Sequence, residues 1–424
     1  MRPIKRSELA GRCRRALEHM LRFGWLKKLI VPALLGAAGL FLGLFFRGNW
    51  AIPFAFFLCF VLAVWIAAQF RSNWIRNTAV VGASVTLFLT VAETYALIVY
   101  NPAVVIQTAG FTRMDAVLGW GPRPGIGHQT KYDLQTGQVV ADADYTIEPR
   151  GIRKTVSAPS GPTVAFFGDS MTFGQWLADS ETMPQLFSDL TGRRMHVLNL
   201  AVSSYGPQQF LRALETDLFS DILGKPKLFV YMTSQFHVQR TSCMLGFVML
   251  APRYKLIDGH PQFQGRCRGL IYALAARTSI YKAFVEPALL HIGREDIDLY
   301  VAVLTRAGEL ARQKYGAPTV IVYLRDPPFA RLSGFSDDEI MRRLRDGGLK
   351  VIDGTLDPRD FPGRPLEIPG DGHPTGVANL ARAKMLYNAF DDLVAPDTAS
   401  GSASAAASTA PCAARSGCSS TSSQ

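Results

Sequence analysis

Three long runs of apolar residues open the chain, and a shorter rhythm replaces them. Leu29 to Phe46 carries no charge over 18 residues, Trp50 to Phe70 carries none over 21, and Thr78 to Tyr100 carries only Glu93. A helix needs about 20 apolar residues to cross a hydrocarbon core about 30 Å thick. Each run therefore predicts a membrane span, and three in succession favour a bilayer over buried core helices. Residues 101–158 are rich in Gly, Pro and turn signals, with alternation in "QVVADADYTI" (Gln138 to Ile147), which predicts a strand-and-turn entry segment. After "SAPSGP" (Ser157 to Pro162), a linker-like stretch, four apolar runs read as strands buried on both faces: "TVAFFG", "HVLNLA", "KLFVYM" and "TVIVYL". "LKVID" reads as a shorter fifth. Helical patterns fall near residues 181–191, 207–222, 294–315, 336–346 and 375–393. Strand and helix in alternation predict an α/β domain over 159–395, with a parallel sheet covered on both sides. Residues 235–292 break the rhythm as an insertion. The tail, 396–424, has too few large apolar residues to fold alone and is expected to be disordered.

Charge sharpens this picture through its location. Of a formal +11, residues 1–28 hold +7, leaving +4 for the other 396 residues. A basic leader ending where an apolar run begins sets membrane orientation, so a nucleic-acid partner is not expected. The leader belongs in the cytoplasm, and three crossings carry everything beyond about residue 101 outside, to the periplasmic side of an inner membrane. Glu93, a carboxylate within a span, lies near the outer end, where it can reach the interface. Of six cysteines, Cys243 and Cys267 share one exported segment, and an oxidising compartment allows them to pair. No metal-ligand spacing or cofactor motif is present, so none is expected.

In a parallel sheet the chemistry gathers beyond the carboxyl ends of the strands. Ser170, in "VAFFGDSMTFG" (Val164 to Gly174), stands just after the first strand, with a glycine ahead of it for a sharp turn. A serine hydroxyl needs a base to become a nucleophile. Two of seven histidines lie at the same edge: His237, just after the third strand, and His373, in "IPGDGHPTG" (Ile368 to Gly376). Asp371, two residues ahead of His373, can orient its ring.

With "LNLAVSSYG" after the second strand and "DGHP" near the end, these blocks resemble the SGNH/GDSL hydrolases, esterases and lipases of flavodoxin-like fold, over about residues 160–395. The resemblance implies Ser170 as nucleophile, His373 as general base and then acid, and Asp371 as its carboxylate. It also implies an oxyanion hole built from the Ser170 N–H, a second-block backbone N–H that falls on Ser204, and a third-block Asn side chain. That Asn is absent from "VYMTSQFHVQR" (Val230 to Arg240). Gln235 offers an amide one methylene longer, with Ser234 and His237 as the other donors, and the choice stays open. Asp-x-His also departs from the more frequent Asp-x-x-His, leaving open whether Asp371 or a backbone carbonyl holds the ring. The expected function is a membrane-anchored esterase acting on O-acyl groups of an extracytoplasmic polysaccharide, peptidoglycan or lipid. An O-acyltransferase and an inactive glycan-binding or assembly protein are the rivals. The insertion aromatics Phe236, Phe247, Tyr254 and Phe263 are expected to shape the pocket.

Overall fold

Five of the apolar runs become strands of one parallel sheet in a computed structural model, whose described residues are 50–395 without 101, 102, 109, 134 and 135, plus positions 32, 34, 35 and 38. The basic leader, most of the first predicted span and the tail lie outside them. Ahead of the sheet come helices α1 (Ala51–Gln69) and α2 (Asn73–Tyr100), packed on each other. Both are long and apolar enough to cross a membrane. The entry segment forms β1 (Ala103–Gln107), β4 (Gly125–Asp133) and β5 (Val139–Ile147) in one antiparallel sheet, with β2 (Thr112–Asp115) and β3 (Gly119–Pro122) paired beside it.

The α/β domain runs β6 (Pro162–Phe167), α3 (Ser170–Phe173), α4 (Met183–Leu190), β7 (His196–Asn199), α5 (Pro207–Glu215), β8 (Lys225–Ser234) and α6 (His237–Thr241). After the hairpin β9 (Pro252–Ile257) and β10 (His260–Arg266) follow α7 (Arg294–Tyr315), β11 (Thr319–Leu324), α8 (Asp337–Asp346), β12 (Lys350–Asp353) and α9 (Gly376–Asn388). The sheet order is β7-β6-β8-β11-β12, every neighbouring pair parallel. Counted along the chain this is 2-1-3-4-5, the doubly wound order whose crevice lies outside the strand ends where the order reverses.

Strand alternation distributes the core to both faces. Phe167, Phe229, Tyr231 and Ile321 pack with Phe210 of α5, Leu304 of α7 and Leu344 of α8 on one side. Phe166, Val230 and Val322 pack with Met183 and Phe187 of α4 and Leu386 of α9 on the other. Each such buried side chain contributes about 1.5–3 kcal/mol, so the strand ends are fixed by a core on both sides. The helix predicted over 207–222 stops at Glu215, because Asp217 takes a left-handed φ of 51° that helix cannot continue through.

One departure concerns the entry segment. The entry segment is not separated from the α/β domain by its linker. Arg153, 1% exposed, bridges to Asn199 at the end of β7 and donates to the carbonyls of Phe173 (2.9 Å), Gly174 (2.6 Å) and Leu177 (2.6 Å). Its guanidinium lies over the Tyr145 ring of β5 at 4.6 Å, while the Tyr145 hydroxyl accepts from Trp176 N at 3.0 Å. The entry strands therefore brace the loop that follows Ser170. Within the insertion, Cys243 and Cys267 are disulfide-bonded, with Cα atoms 5.3 Å apart, and Asp258-Gly259, both at positive φ, closes the β9–β10 hairpin.

Candidate active site

Gly168 ends β6 with a φ of 152°, and a Cβ there would lie 2.3 Å from Thr172 Oγ1. Glycine alone allows that turn. Asp169 then caps α3 by accepting from Met171 N at 2.9 Å, which leaves Ser170 as the first helical residue beyond the strand end. His373 arrives from the far end of the domain on a tight loop, 368–373, where Gly372 takes a φ of 87°. Its Nε2 lies 2.8 Å from Ser170 Oγ, and its Nδ1 bonds Asp371 Oδ1. An ionised carboxylate only accepts, so Nδ1 carries the proton and Nε2 is free to accept from the Ser170 hydroxyl. Asp371 Oδ1 also accepts from the His373 backbone N–H at 3.2 Å. The shorter Asp-x-His spacing is thus compatible with a carboxylate, rather than a carbonyl, on the ring.

A fourth side chain joins these three. Lys131 of β4 donates to Asp371 Oδ2 at 2.7 Å and to Gly370 O at 3.4 Å. The β4–β5 register slips here: Lys131 pairs with Ala141 but Tyr132 pairs with Val139, so Val140 is an extra, bulged residue beside the lysine. Bulges bend a strand and re-aim its side chains. Burial opposes the charge on Asp371, but hydrogen bonds from His373 and Lys131 outweigh it and hold the carboxyl well below its usual range. No sequence signal marked Lys131, because its partner lies 240 residues away and a lone lysine in an alternating strand reads as solvent-facing.

Beneath the serine lies a second charged cluster. Asp169 Oδ2 accepts from Arg240 Nη1 at 2.7 Å and lies 3.0 Å from His237 Nε2, while His237 Nδ1 lies 3.0 Å from Thr233 Oγ1. Burial raises the Asp169 carboxyl less than Arg240 and His237 lower it, so it stays ionised. Burial first, and then Arg240, push the His237 imidazole down, so it is neutral near pH 7. His237 is therefore engaged beneath the nucleophile loop and is not brought to Ser170 as a base or donor.

The third-block alternatives separate by their hydrogen-bond partners. Gln235 is fully buried and its Nε2 donates to Ser333 Oγ at 2.7 Å and Phe335 O at 3.2 Å, so the amide is committed away from Ser170. Its neighbour Ser234 is the last residue of β8. Ser234 Oγ is buried, has no hydrogen-bond partner among the described residues, and lines the cleft beside Met171 and Gly372. The β6–β8 register sets Phe167, the last residue of β6, opposite Tyr231, so β8 runs three residues further, to Ser234, alongside the turn that carries Ser170. Ser204 carries a φ of 71°, the backbone conformation for which glycine is the ordinary occupant. Neither the Ser170 nor the Ser204 backbone N–H donates a hydrogen bond among the described residues.

The cleft has a volume of about 900 Å³ and is lined beside the relay by Met171, Gly372 and Pro374, chain neighbours of Ser170 and His373, rather than by the relay side chains themselves. The insertion contributes only Phe236 of the four aromatics expected there. Tyr254 is buried and donates to Glu215 Oε2, Phe263 lies against the Arg212 guanidinium, and Phe247 is exposed. The walls come instead from the segments after β11 and β12, with Leu324, Arg325, Phe361, Arg364 and prolines at 327, 328, 358, 362, 365 and 374. Loops beyond parallel strand ends are where such walls belong, and proline fixes φ in them.

No protein-family model matches the chain, and no curated protein matches it. Among solved structures it is similar to a member of the lipolytic protein G-D-S-L family from Veillonella parvula, at 14% identity over 55% of this chain and 100% of that one, with a TM-score of 0.35. A psychrotrophic esterase from Pseudoalteromonas sp. matches at 13% identity over 55% and 98%, TM-score 0.33. A carbohydrate acetylesterase family member from Sinorhizobium meliloti matches at 14% over 55% and 99%, TM-score 0.31. Scores this low do not decide a chemistry; sheet order and side-chain geometry are independent of them.

Proposed function

We propose that the chain is a membrane-anchored serine esterase of SGNH type whose active domain lies outside the cytoplasm. The observation that carries this reading is the Ser170–His373–Asp371 relay, with Ser170 Oγ 2.8 Å from His373 Nε2. His373 Nε2 takes the Ser170 proton as Oγ attacks the ester carbonyl, and Asp371 stabilises the imidazolium that forms. The oxyanion is met by the Ser170 and Ser204 N–H groups and by the Ser234 hydroxyl, which replaces the missing Asn. The imidazolium then protonates the departing alkoxide, leaving acyl-Ser170, which water resolves by the same route in reverse.

The location follows from the basic leader, the apolar helices α1 and α2 with the run before them, and the Cys243–Cys267 bridge, which suits an oxidising compartment. There the ester would be an O-acyl group on an envelope polysaccharide, peptidoglycan or lipid. The assembled relay argues against an inactive binding protein, because such a protein has no need of a serine in contact with an oriented histidine.

Purified full-length protein should hydrolyse a p-nitrophenyl acetate probe and take up a fluorophosphonate at Ser170. Ser170→Ala should abolish both. Equal hydrolysis by Ser170→Ala would remove the assignment.

A further inference from the structure

Glu93 is fully buried, and it is the one charged residue of α2 beyond Arg76. Its carboxylate accepts from the backbone N–H of Ser279 at 2.5 Å and of Ile280 at 3.0 Å, in the middle of the insertion. Ala96 and Leu97, one turn further along α2, are buried too. The outer part of α2 is therefore fastened to residues 270–289, which form Leu270–Ala275 and then the continuous helical stretch Tyr281–Leu289.

These two pieces carry apolar side chains that the domain does not cover. Tyr272, Leu274, Val285 and Leu289 are 39–53% exposed, and Val285 and Leu289 are four residues apart on one helical face. On α2 itself Tyr95, Ile98 and Val99 are exposed at the same end. Arg277, between the two pieces, and Lys282, at the start of the second, are exposed, and Arg268 lies 4.7 Å over the Tyr272 ring. Apolar and aromatic side chains flanked by Arg and Lys are the composition of helices that lie in a bilayer interface.

Depth along α2 places the patch at that interface. Arg76 marks the inner boundary, and Glu93, 17 residues on, stands about 25 Å above it at 1.5 Å per residue. The hydrocarbon core is about 30 Å thick, so the Glu93 bonds hold Ser279 and Ile280 near its outer surface. We infer that residues 270–289 form an in-plane element whose apolar face is covered by the outer leaflet of the membrane that α2 spans. The inference rests on the membrane reading above and adds a second contact to it. It also gives the carboxylate at Glu93 a physical reason: an anchor helix is locked to a surface element at fixed depth.

The test uses the full chain in lipid nanodiscs, with Cys13, Cys59, Cys412 and Cys418 replaced by Ser and one nitroxide per variant. Labels go at Leu274→Cys, Leu289→Cys, Phe88→Cys on the exposed face of α2, and Leu332→Cys on the exposed surface near the cleft. Collision with oxygen and with a water-soluble nickel complex is measured by electron spin resonance. Labels at 274 and 289 should favour oxygen as the label at 88 does, and the label at 332 should favour nickel. If 274 and 289 behave like 332 while 88 remains oxygen-favouring, the in-plane element is wrong and the anchor stands. Immobilised labels at 274 and 289 shielded from both reagents would overturn it in favour of a protein partner or second copy. Nickel-favouring collision at 88 would remove the membrane reading and this inference together.

Discussion

Ser204 and Ser234 show how far single residues could be read from the chain. The count from Asn199 put the second-block donor on Ser204, and the structure gives that residue a φ of 71°. A left-handed conformation costs a non-glycine residue about 1–2 kcal/mol, partly offset by the about 0.4–1 kcal/mol that glycine loses through a freer unfolded chain. Ser204→Gly should therefore keep ester hydrolysis and leave the thermal midpoint equal or slightly higher. A clear fall in the midpoint would show that the Ser204 side chain contributes more than its backbone. Ser234 was one of three candidate donors, and nothing along the chain ranked them. What separates them is the turn that begins where β8 ends: Gln235 in that turn bonds Ser333, while the Ser234 hydroxyl is left without a partner among the described residues. Loss of one oxyanion donor costs about 10²–10³ in kcat, and a single neutral hydroxyl belongs at the lower end of that range. Ser234→Ala should lower kcat with little change in KM. Unchanged kcat would return the third donor to water or to backbone.

At the scale of elements, the strands were legible because a sheet buried on both faces leaves near-continuous apolar runs, and β11 matches its run end to end. The entry strands were legible as strands but not as part of the site. Their contribution depends on contacts between distant segments: Arg153 with the loop carbonyls at 173, 174 and 177, and Lys131 with Asp371. No local period records such a contact. Lys131 acts through Asp371, so it is a positioning residue. A hydrogen bond to a charged group contributes about 1.5–3 kcal/mol, which is about ten- to a hundredfold in rate if carried wholly to the transition state. Lys131→Met should lower kcat within that range and slow fluorophosphonate uptake, whereas Lys131→Arg should restore most of both. A fall in folded yield with unaltered kcat in the folded fraction would assign the lysine to stability alone.

For the whole molecule, the buried titratable groups set a direction for stability against pH. Burial, reinforced by Arg240, depresses His237, and burial alone depresses His196. Their unfolded counterparts titrate near 6.5, so below that pH the unfolded chain binds protons that the folded chain does not yet take up. Stability rises with pH wherever the unfolded state binds more protons. The contribution of both imidazoles is therefore fully present above about pH 6.5 and is lost as pH falls toward their folded values. Asp169 and Asp371 act in a lower window. Although burial opposes their ionisation, their cationic and hydrogen-bonding partners depress both, so their contribution holds above about pH 4 and fails only below it. The thermal midpoint of the full chain in detergent should thus be flat from pH 8 to 7, decline between about pH 6.5 and 5, and drop more steeply below about 4. Each group contributes at most about 1.4 kcal/mol per pH unit. His196→Gln should soften the first decline and leave the second in place, because among the described residues the His196 ring bonds only Thr163 and takes no part in the cluster under Ser170. A midpoint that rises between pH 7 and 5 would mean that the two imidazoles are charged in the folded protein, and that the Asp169 cluster is built on a histidinium rather than a neutral ring.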